Sequence, residues 1–287
     1  MATTGDHNLA IDTGRWLSLS KPLAATGRDT FWRELGTVPN SRQNGGGASW
    51  EPSPNCHHHP ERSCGAAQDA YAHAMARKPP ASTLVLLVRH GQTPTTGTVL
   101  PGRAPDLHLS DAGRAQAEAA AERLQGLPID ALYTSPLERA RETAEPTERL
   151  TNLTASLDDG LLECDFGEWT GEKLTALAKL PQWRTVQQAP STFRFPGGES
   201  FVELQSRMIA TMERLRAAHP GGVVVCFSHA DPIKAILTHA LGTHLDHFQR
   251  VDVGTGSISA IQWPEGSAPV VRIVNSSGGP LAALRSG

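Results

Sequence analysis

The 287-residue chain carries little net charge: 26 Lys and Arg stand against 29 Asp and Glu, a formal net charge of -3 with its 12 histidines neutral. That balance gives no electrostatic case for nucleic acid or an anionic membrane as a partner. No apolar run of about 18 residues occurs, so no membrane span is expected. The first thirty residues lack a basic stretch followed by an apolar one, so a signal peptide is not expected either. Cysteine is scarce, at Cys56, Cys64, Cys164 and Cys226, which is too few for a disulfide scaffold at this length. A cytoplasmic protein is the expectation.

Residues 1–80 also lack a sustained period of 2 or 3.6, and their apolar residues stand singly among Gly, Pro, Ser, Asn and His. No core is expected there, and the segment reads as a disordered or mis-annotated extension. Its acids, among them Asp6, Asp12, Asp29 and Glu34, argue against a mitochondrial transit peptide, a class poor in acids. Cys56, His57, His58, His59 and Cys64 have the donor types that zinc takes, but their spacing fits no structural zinc pattern, and a solvated tract is the expectation. Met75 makes a natural start for the compact part of the chain, an expectation that N-terminal sequencing of the native protein checks.

From Thr83 the pattern is regular. Leu84 to Val88 and Gly222 to Ser228 are continuous apolar runs, as in strands covered on both faces. Ile129 to Tyr133 is a further strand, and Ser257 to Trp263 and Pro269 to Val274 alternate as two closing ones. Ser110 to Gly126 reads as a helix with Ser110 as its N-cap and Gly126 past its end. Ser135-Pro136-Leu137-Glu138 reads as a capping box opening a helix to about Leu150. Glu199 to Ala218 and Asp231 to Leu241 complete the helices. Strands alternating with helices imply one α/β domain, a three-layer α/β/α sandwich with a mostly parallel sheet over residues 81–275, followed by a flexible tail at 276–287.

Both of the most apolar strands end in a histidine, His90 and His229, where open α/β sheets gather ligands. Arg89 precedes His90, and Arg139 lies in the first turn of the helix after Ser135, beside free backbone N–H groups. These are anion-binding features.

Five motifs occur in order: Leu84-Val-Leu-Leu-Val-Arg-His-Gly-Gln-Thr93; Gly102-Arg103 with Leu109-Ser-Asp-Ala-Gly113; Thr134-Ser-Pro-Leu-Glu-Arg-Ala-Arg-Glu-Thr-Ala144; Leu162-Glu-Cys-Asp-Phe-Gly-Glu-Trp-Thr-Gly171; and Phe227-Ser-His-Ala230. Jointly they resemble the histidine phosphatase superfamily, in its phosphoglycerate mutase-like branch, over about Thr83 to Trp263. The resemblance implies a phosphoglycerate mutase-like fold. It makes His90 the nucleophile, Arg89, Arg139 and His229 the holders of the phosphoryl oxygens, and Glu163 the general acid. Glu168 and Glu172 are the nearby substitutes for Glu163. Gln92, Thr93, Gly102, Arg103 and Ala230 are the implied substrate contacts, although Arg103 could equally pair with Asp106. Glu199 is read as serving the start of its helix, and His239, His244 and His247 as structural or solvated. Two departures stand out: Thr96 or its neighbours occupy the region where many relatives place an asparagine, and Ala230 replaces a usual glycine.

The chemistry is sound in itself. An imidazole can take a phosphoryl group covalently and divide a hard hydrolysis into two displacements. Two guanidiniums neutralise charge spreading over the equatorial oxygens, and a carboxyl protonates the leaving oxygen. No metal or cofactor is required. Phosphomonoester hydrolysis is favoured, because Cys164-Asp-Phe-Gly-Glu-Trp resembles phosphatase members more than true mutases. A cofactor-dependent phosphomutase, a non-catalytic phosphate binder and a phosphotyrosine-protein phosphatase remain alternatives. Trp183, Arg184, Phe193, Arg194 and Phe195, between the acid and the next helix, either face a small phosphorylated metabolite such as a phosphoglycerate, sugar phosphate or ribazole phosphate, or pack a lid. No exposed heptad declares an oligomer.

Overall fold

The computed structural model describes residues 81–279 and 281. The expectations for residues 1–80, including the Cys56 to Cys64 tract and a start at Met75, lie outside the described residues. No helix among the described residues is long and apolar enough to cross a membrane.

The chain runs β1 (Ser82–Arg89), α1 (Asp111–Leu124), β2 (Ala131–Thr134), α2 (Glu138–Thr151), β3 (Ser156–Leu157), α3 (Leu174–Leu177), α4 (Pro181–Gln188), α5 (Phe201–Ala218), β4 (Val223–Ser228), α6 (Ala230–Ala240), β5 (Ile258–Pro264) and β6 (Val270–Ser276). The sheet order is β3-β2-β4-β1-β5-β6. Pairings from β3 through β1 are parallel, and β5 runs antiparallel to both β1 and β6. The mostly parallel expectation is met, with β5 the reversed strand.

Alternation along β1 divides its apolar side chains between two layers. Val85 and Leu87 pack with Met208, Met212 and Leu215 of α5 and Ile233, Ile236 and Leu237 of α6. Leu84, Leu86 and Val88 face Ala120 and Leu124 of α1 and Ala144 of α2. Helices therefore cover both faces of the central strands. This explains why β1 and β4 read as continuous apolar runs rather than alternating ones. A third cluster, including Phe166, Trp169, Phe195, Phe201 and Phe248, packs the segment after Glu163 against α5 and α6.

Several local expectations hold and two need correction. Ser110 caps α1 by accepting from Gly113 N–H at 3.1 Å. The expected capping box at Ser135 is absent: α2 begins at Glu138, with Leu137 in the N-cap position and no side-chain cap. Ser135 remains in an extension of β2, its N–H bonded to Phe227 O at 2.9 Å, and its hydroxyl meets Leu137 N–H and His229 Nε2 rather than Glu138 N–H. The capping box belongs instead to α5, where Ser200 and Glu203 bond reciprocally, a pattern that Ser200-x-x-Glu203 carries in plain sight.

The other correction concerns the tail. Residue 276 closes β6, and Arg123 donates to Ser276 O at 2.7 Å, Ser276 Oγ at 2.7 Å and Gly279 O at 2.9 Å. Leu281 is buried among Leu124 and Ala120. The first residues of the expected tail are thus anchored, because a buried guanidinium supplies partners for their carbonyls.

Candidate active site

The parallel registry places the site. Arg89 of β1 stands opposite Ser228 of β4, and Phe227 of β4 stands opposite Thr134 of β2. The carboxyl ends of three adjacent strands thus deliver His90, His229 and Ser135 to one spot. His90 and His229 rings lie 5.1 Å apart between centroids. The loop that carries His90 is held by close backbone approach. A Cβ on Gly91 would lie 2.4 Å from Gly113 O, and one on Gly113 would lie 2.0 Å from Gln92 O. Gly91 N–H also donates to Thr143 Oγ1 of α2 at 3.0 Å. Glycine at 91 and 113 is therefore a packing requirement that joins the loop to the first turn of α1.

His90 is buried, and its Nδ1 lies 2.7 Å from Gly91 O. A carbonyl oxygen only accepts, so Nδ1 carries the proton and Nε2 keeps its lone pair. Burial, reinforced by the Arg139 and Arg89 charges, holds His90 well below the ordinary histidine range. It is a neutral imidazole with an available nitrogen beside two cations.

His229 Nε2 lies 2.8 Å from Ser135 Oγ, and burial first, then Arg139 and His90, hold this ring neutral as well. Leu137 N–H approaches Ser135 Oγ at 3.4 Å, and Oγ keeps a second lone pair, so the hydroxyl can either donate to His229 Nε2 or accept from it. With Ser135 as the donor, the His229 proton lies on Nδ1, which has no partner among the described residues.

Arg139 is fully buried and gives one Nη2 hydrogen bond to Gly102 O at 2.7 Å. Its Nε and Nη1 have no partner, nor does Arg89 Nε, while Arg89 Nη1 donates to Val253 O at 2.6 Å. Buried donors left unmatched cost on the order of 1–3 kcal/mol each, more for charged groups, and both guanidiniums bear electrostatically on the His90 and His229 rings, so the cluster suits an anion. A tetrahedral oxyanion matches several convergent N–H donors.

Glu163 is buried in the irregular stretch between β3 and α3, and its Oε1 accepts from Cys164 N–H at 2.9 Å. Burial, helped by Asp231, raises its carboxyl to about 7, against the opposing pull of Cys164 N–H, Arg139 and Arg89. A protonated carboxyl beside two guanidiniums can give up its proton near neutrality. Glu168 and Glu172 are exposed, so Glu163 is the carboxyl that joins the cationic cluster. Cys164 is a free, buried cysteine whose thiol burial pushes up, so it stays protonated.

The remaining sequence candidates divide. Thr93 is buried, and its N–H and Oγ1 both meet Thr96 Oγ1, at 2.9 and 3.0 Å. Gln92 is exposed, and its backbone serves Ser110 and Gln116. Gly102 adopts a φ of +52°, packed against Thr170 and Phe166, and offers its carbonyl to Arg139. Arg103 does not pair with Asp106. It donates to Glu163 O at 2.9 Å and to Glu199 Oε2 at 3.1 Å. Ala230 opens α6 directly after His229.

Among the lid candidates, Trp183 stacks on Trp169, while Phe193 and Phe195 pack edge-on to one another. Arg184 bonds Gln188, and Arg194 bonds Glu203 and Gly198 O. Phe195 is buried and Trp183 and Phe193 are half-buried in the third apolar cluster, whereas Arg184 and Arg194 are exposed. His239, His244 and His247 are exposed. No cluster of three metal-ligating side chains occurs among the described residues. Sequence reasoning missed Ser135, Thr143 and Arg207; the first two were visible only as part of the motif Thr134-Ser135 to Thr143-Ala144.

Such a cluster, two neutral histidines, two buried guanidiniums and one raised carboxyl at the carboxyl edge of a parallel sheet, is suited to holding a tetrahedral oxyanion. The profile of the Histidine phosphatase superfamily (branch 1) matches residues 85–276, and the chain belongs to that family. Phosphoserine phosphatase 1 of Hydrogenobacter thermophilus is 30% identical over 183 residues, covering 63% of this chain and 87% of the relative. A bifunctional protein of Mycobacterium tuberculosis is 32% identical over 198 residues, covering 68% of this chain and 54% of its own length. The chain thus spans about half of that relative. The solved structure of mycobacterial glucosyl-3-phosphoglycerate phosphatase aligns with a TM-score of 0.63 at 27% identity, covering 68% of this chain and all of that one (100%).

Proposed function

We propose that the protein hydrolyses phosphomonoesters of small metabolites through a phosphohistidine at His90. The observation that carries the reading is the unpartnered Nε2 of a neutral His90, 5.1 Å between ring centroids from His229 and within electrostatic reach of Arg89 and Arg139, which keep buried, unmatched N–H groups. In the first step the Nε2 lone pair attacks phosphorus as the ester P–O bond breaks, and Glu163 gives its proton to the leaving alkoxide. In the second, ionised Glu163 takes a proton from water as the water oxygen attacks phosphorus and the P–N bond breaks, returning neutral His90 and inorganic phosphate. Arg89, Arg139 and His229 hold the three equatorial oxygens throughout.

Hydrolysis is preferred over phosphomutase activity because the relatives that carry activity names include phosphatases for phosphoserine and glucosyl-3-phosphoglycerate. A phosphate binder would have no use for a buried proton-bearing carboxyl beside the cations. The test is phosphate release from p-nitrophenyl phosphate, phosphoserine and 3-phosphoglycerate, with His90→Ala alongside. Release that vanishes in the variant supports the reading. Conversion of 3-phosphoglycerate to its 2-isomer without release replaces it with a mutase.

A further inference from the structure

Glu163 sits on a stretch with neither helix nor strand to hold it, so its main-chain carbonyls need partners from elsewhere. Two arginines supply them. Arg207 of α5 donates through Nη1 to Gly160 O at 2.9 Å and Leu162 O at 3.0 Å, and through Nη2 to Glu163 O at 3.4 Å. Arg103, on the loop after β1, donates through Nε to the same Glu163 O at 2.9 Å. Both guanidiniums are gathered by one carboxylate. Glu199 accepts from Arg207 Nε and Nη2 at 3.0 Å each and from Arg103 Nη2 at 3.1 Å, and its side chain is 12% exposed. It also accepts Asp165 N–H at 3.3 Å, while its own N–H donates to Asp165 O at 2.8 Å.

The neighbouring peptide completes the connection. Gly102 O accepts from Arg139 Nη2 at 2.7 Å, so the link from a phosphate-facing guanidinium to the carbonyl of the acid runs through two consecutive residues. Backbone pairing between the two loops reinforces it, with Leu100 N–H on Glu172 O at 2.9 Å and Gly171 N–H on Leu100 O at 2.8 Å.

We propose that Arg103, Glu199 and Arg207 are positioning residues that clamp the Glu163 main chain and tie the placement of the acid to the loop carrying the nucleophile. Two guanidiniums face the carboxylates of Glu199 and, from Arg103 at 3.8 Å, Asp165, so the cluster is balanced in charge and acts through placement. An acid works only within hydrogen-bond reach of the leaving oxygen, and a displacement of about 1 Å can cost on the order of 100-fold. The clamp rests on the phosphatase reading and deepens it.

The experiment compares two esters in full-length protein. p-Nitrophenyl phosphate has a leaving group that departs without a proton; β-glycerophosphate has an alkoxide that needs one. Glu199→Gln and Arg103→Lys are measured for kcat/KM on both, with thermal midpoints, and Glu163→Gln as the reference for a missing acid. The expected result is a loss at least about tenfold larger for the alkyl ester than for the aryl ester, in the direction Glu163→Gln shows. Arg103, one-third exposed, keeps the test available if Glu199→Gln does not fold. Equal losses on both esters, or no loss in a variant with the wild-type midpoint, overturn the proposal and leave the clamp a brace of the fold. A wild-type protein that releases phosphate from neither ester, nor from phosphoserine or 3-phosphoglycerate, overturns the phosphatase reading itself, and the clamp's role with it.

Discussion

Replacing Glu163 with glutamine removes a charge while keeping shape and the Oε1 that accepts Cys164 N–H. In the folded chain, burial raises this carboxyl from 4.5 to about 7. A carboxyl that binds its proton more tightly when folded makes the folded state lose stability as pH rises between those two values. Below about 4.5, both states hold the proton and the two proteins differ little. Above that the variant gains about 1.4 kcal/mol per pH unit, levelling off near pH 7 at roughly 3 kcal/mol. For a folded region of about 200 residues this corresponds to a Tm roughly 6–12 °C higher at pH 8 and nearly unchanged at pH 4. Calorimetric scans of both proteins from pH 4 to 8 measure it directly. A difference that does not vary with pH, or a variant less stable than wild type at pH 8, refutes the argument that a buried carboxyl is held at a cost to the fold for the sake of proton transfer.

Other outcomes follow from the same geometry. For alkyl esters kcat/KM falls above pH about 7 as Glu163 loses its proton, and initial-rate profiles locate the limb; His90, held neutral by burial, sets no limb in that range. Gly113→Ala places a Cβ 2.0 Å from Gln92 O and destabilises by roughly 1–3 kcal/mol or more, read as a lower urea midpoint, with a parallel loss of phosphate release because the displaced loop carries His90. Leu281→Ala costs about 2–5 kcal/mol in the same assay without selective loss on either ester, since Leu281 is 4% exposed in the layer away from the acid.

Much of this protein is legible in its residues. The unbroken apolar character of Leu84 to Val88 and Val223 to Phe227 marks strands covered on both faces, and a histidine after each marks where a ligand belongs. Ser110 caps its helix as its type and position dictate. Nearest-neighbour chemistry misled at Ser135, where the capping-box pattern is present but the hydroxyl is recruited by His229, a residue 94 positions away. Arg103 misled in the same manner: Asp106 is close in sequence, yet the loop turns the guanidinium onto Glu163 O and Glu199.

The residue types at the site, their order and the strands that carry them were determined by the sequence alone, because hydrophobic periodicity and motif spacing are local properties. Which donors remain unmatched, which histidine nitrogen is free and how far burial lifts Glu163 were decided by the tertiary structure. Those quantities depend on which carbonyls and charges parallel pairing of β2, β4 and β1 brings within hydrogen-bond reach, and on the water that packing excludes.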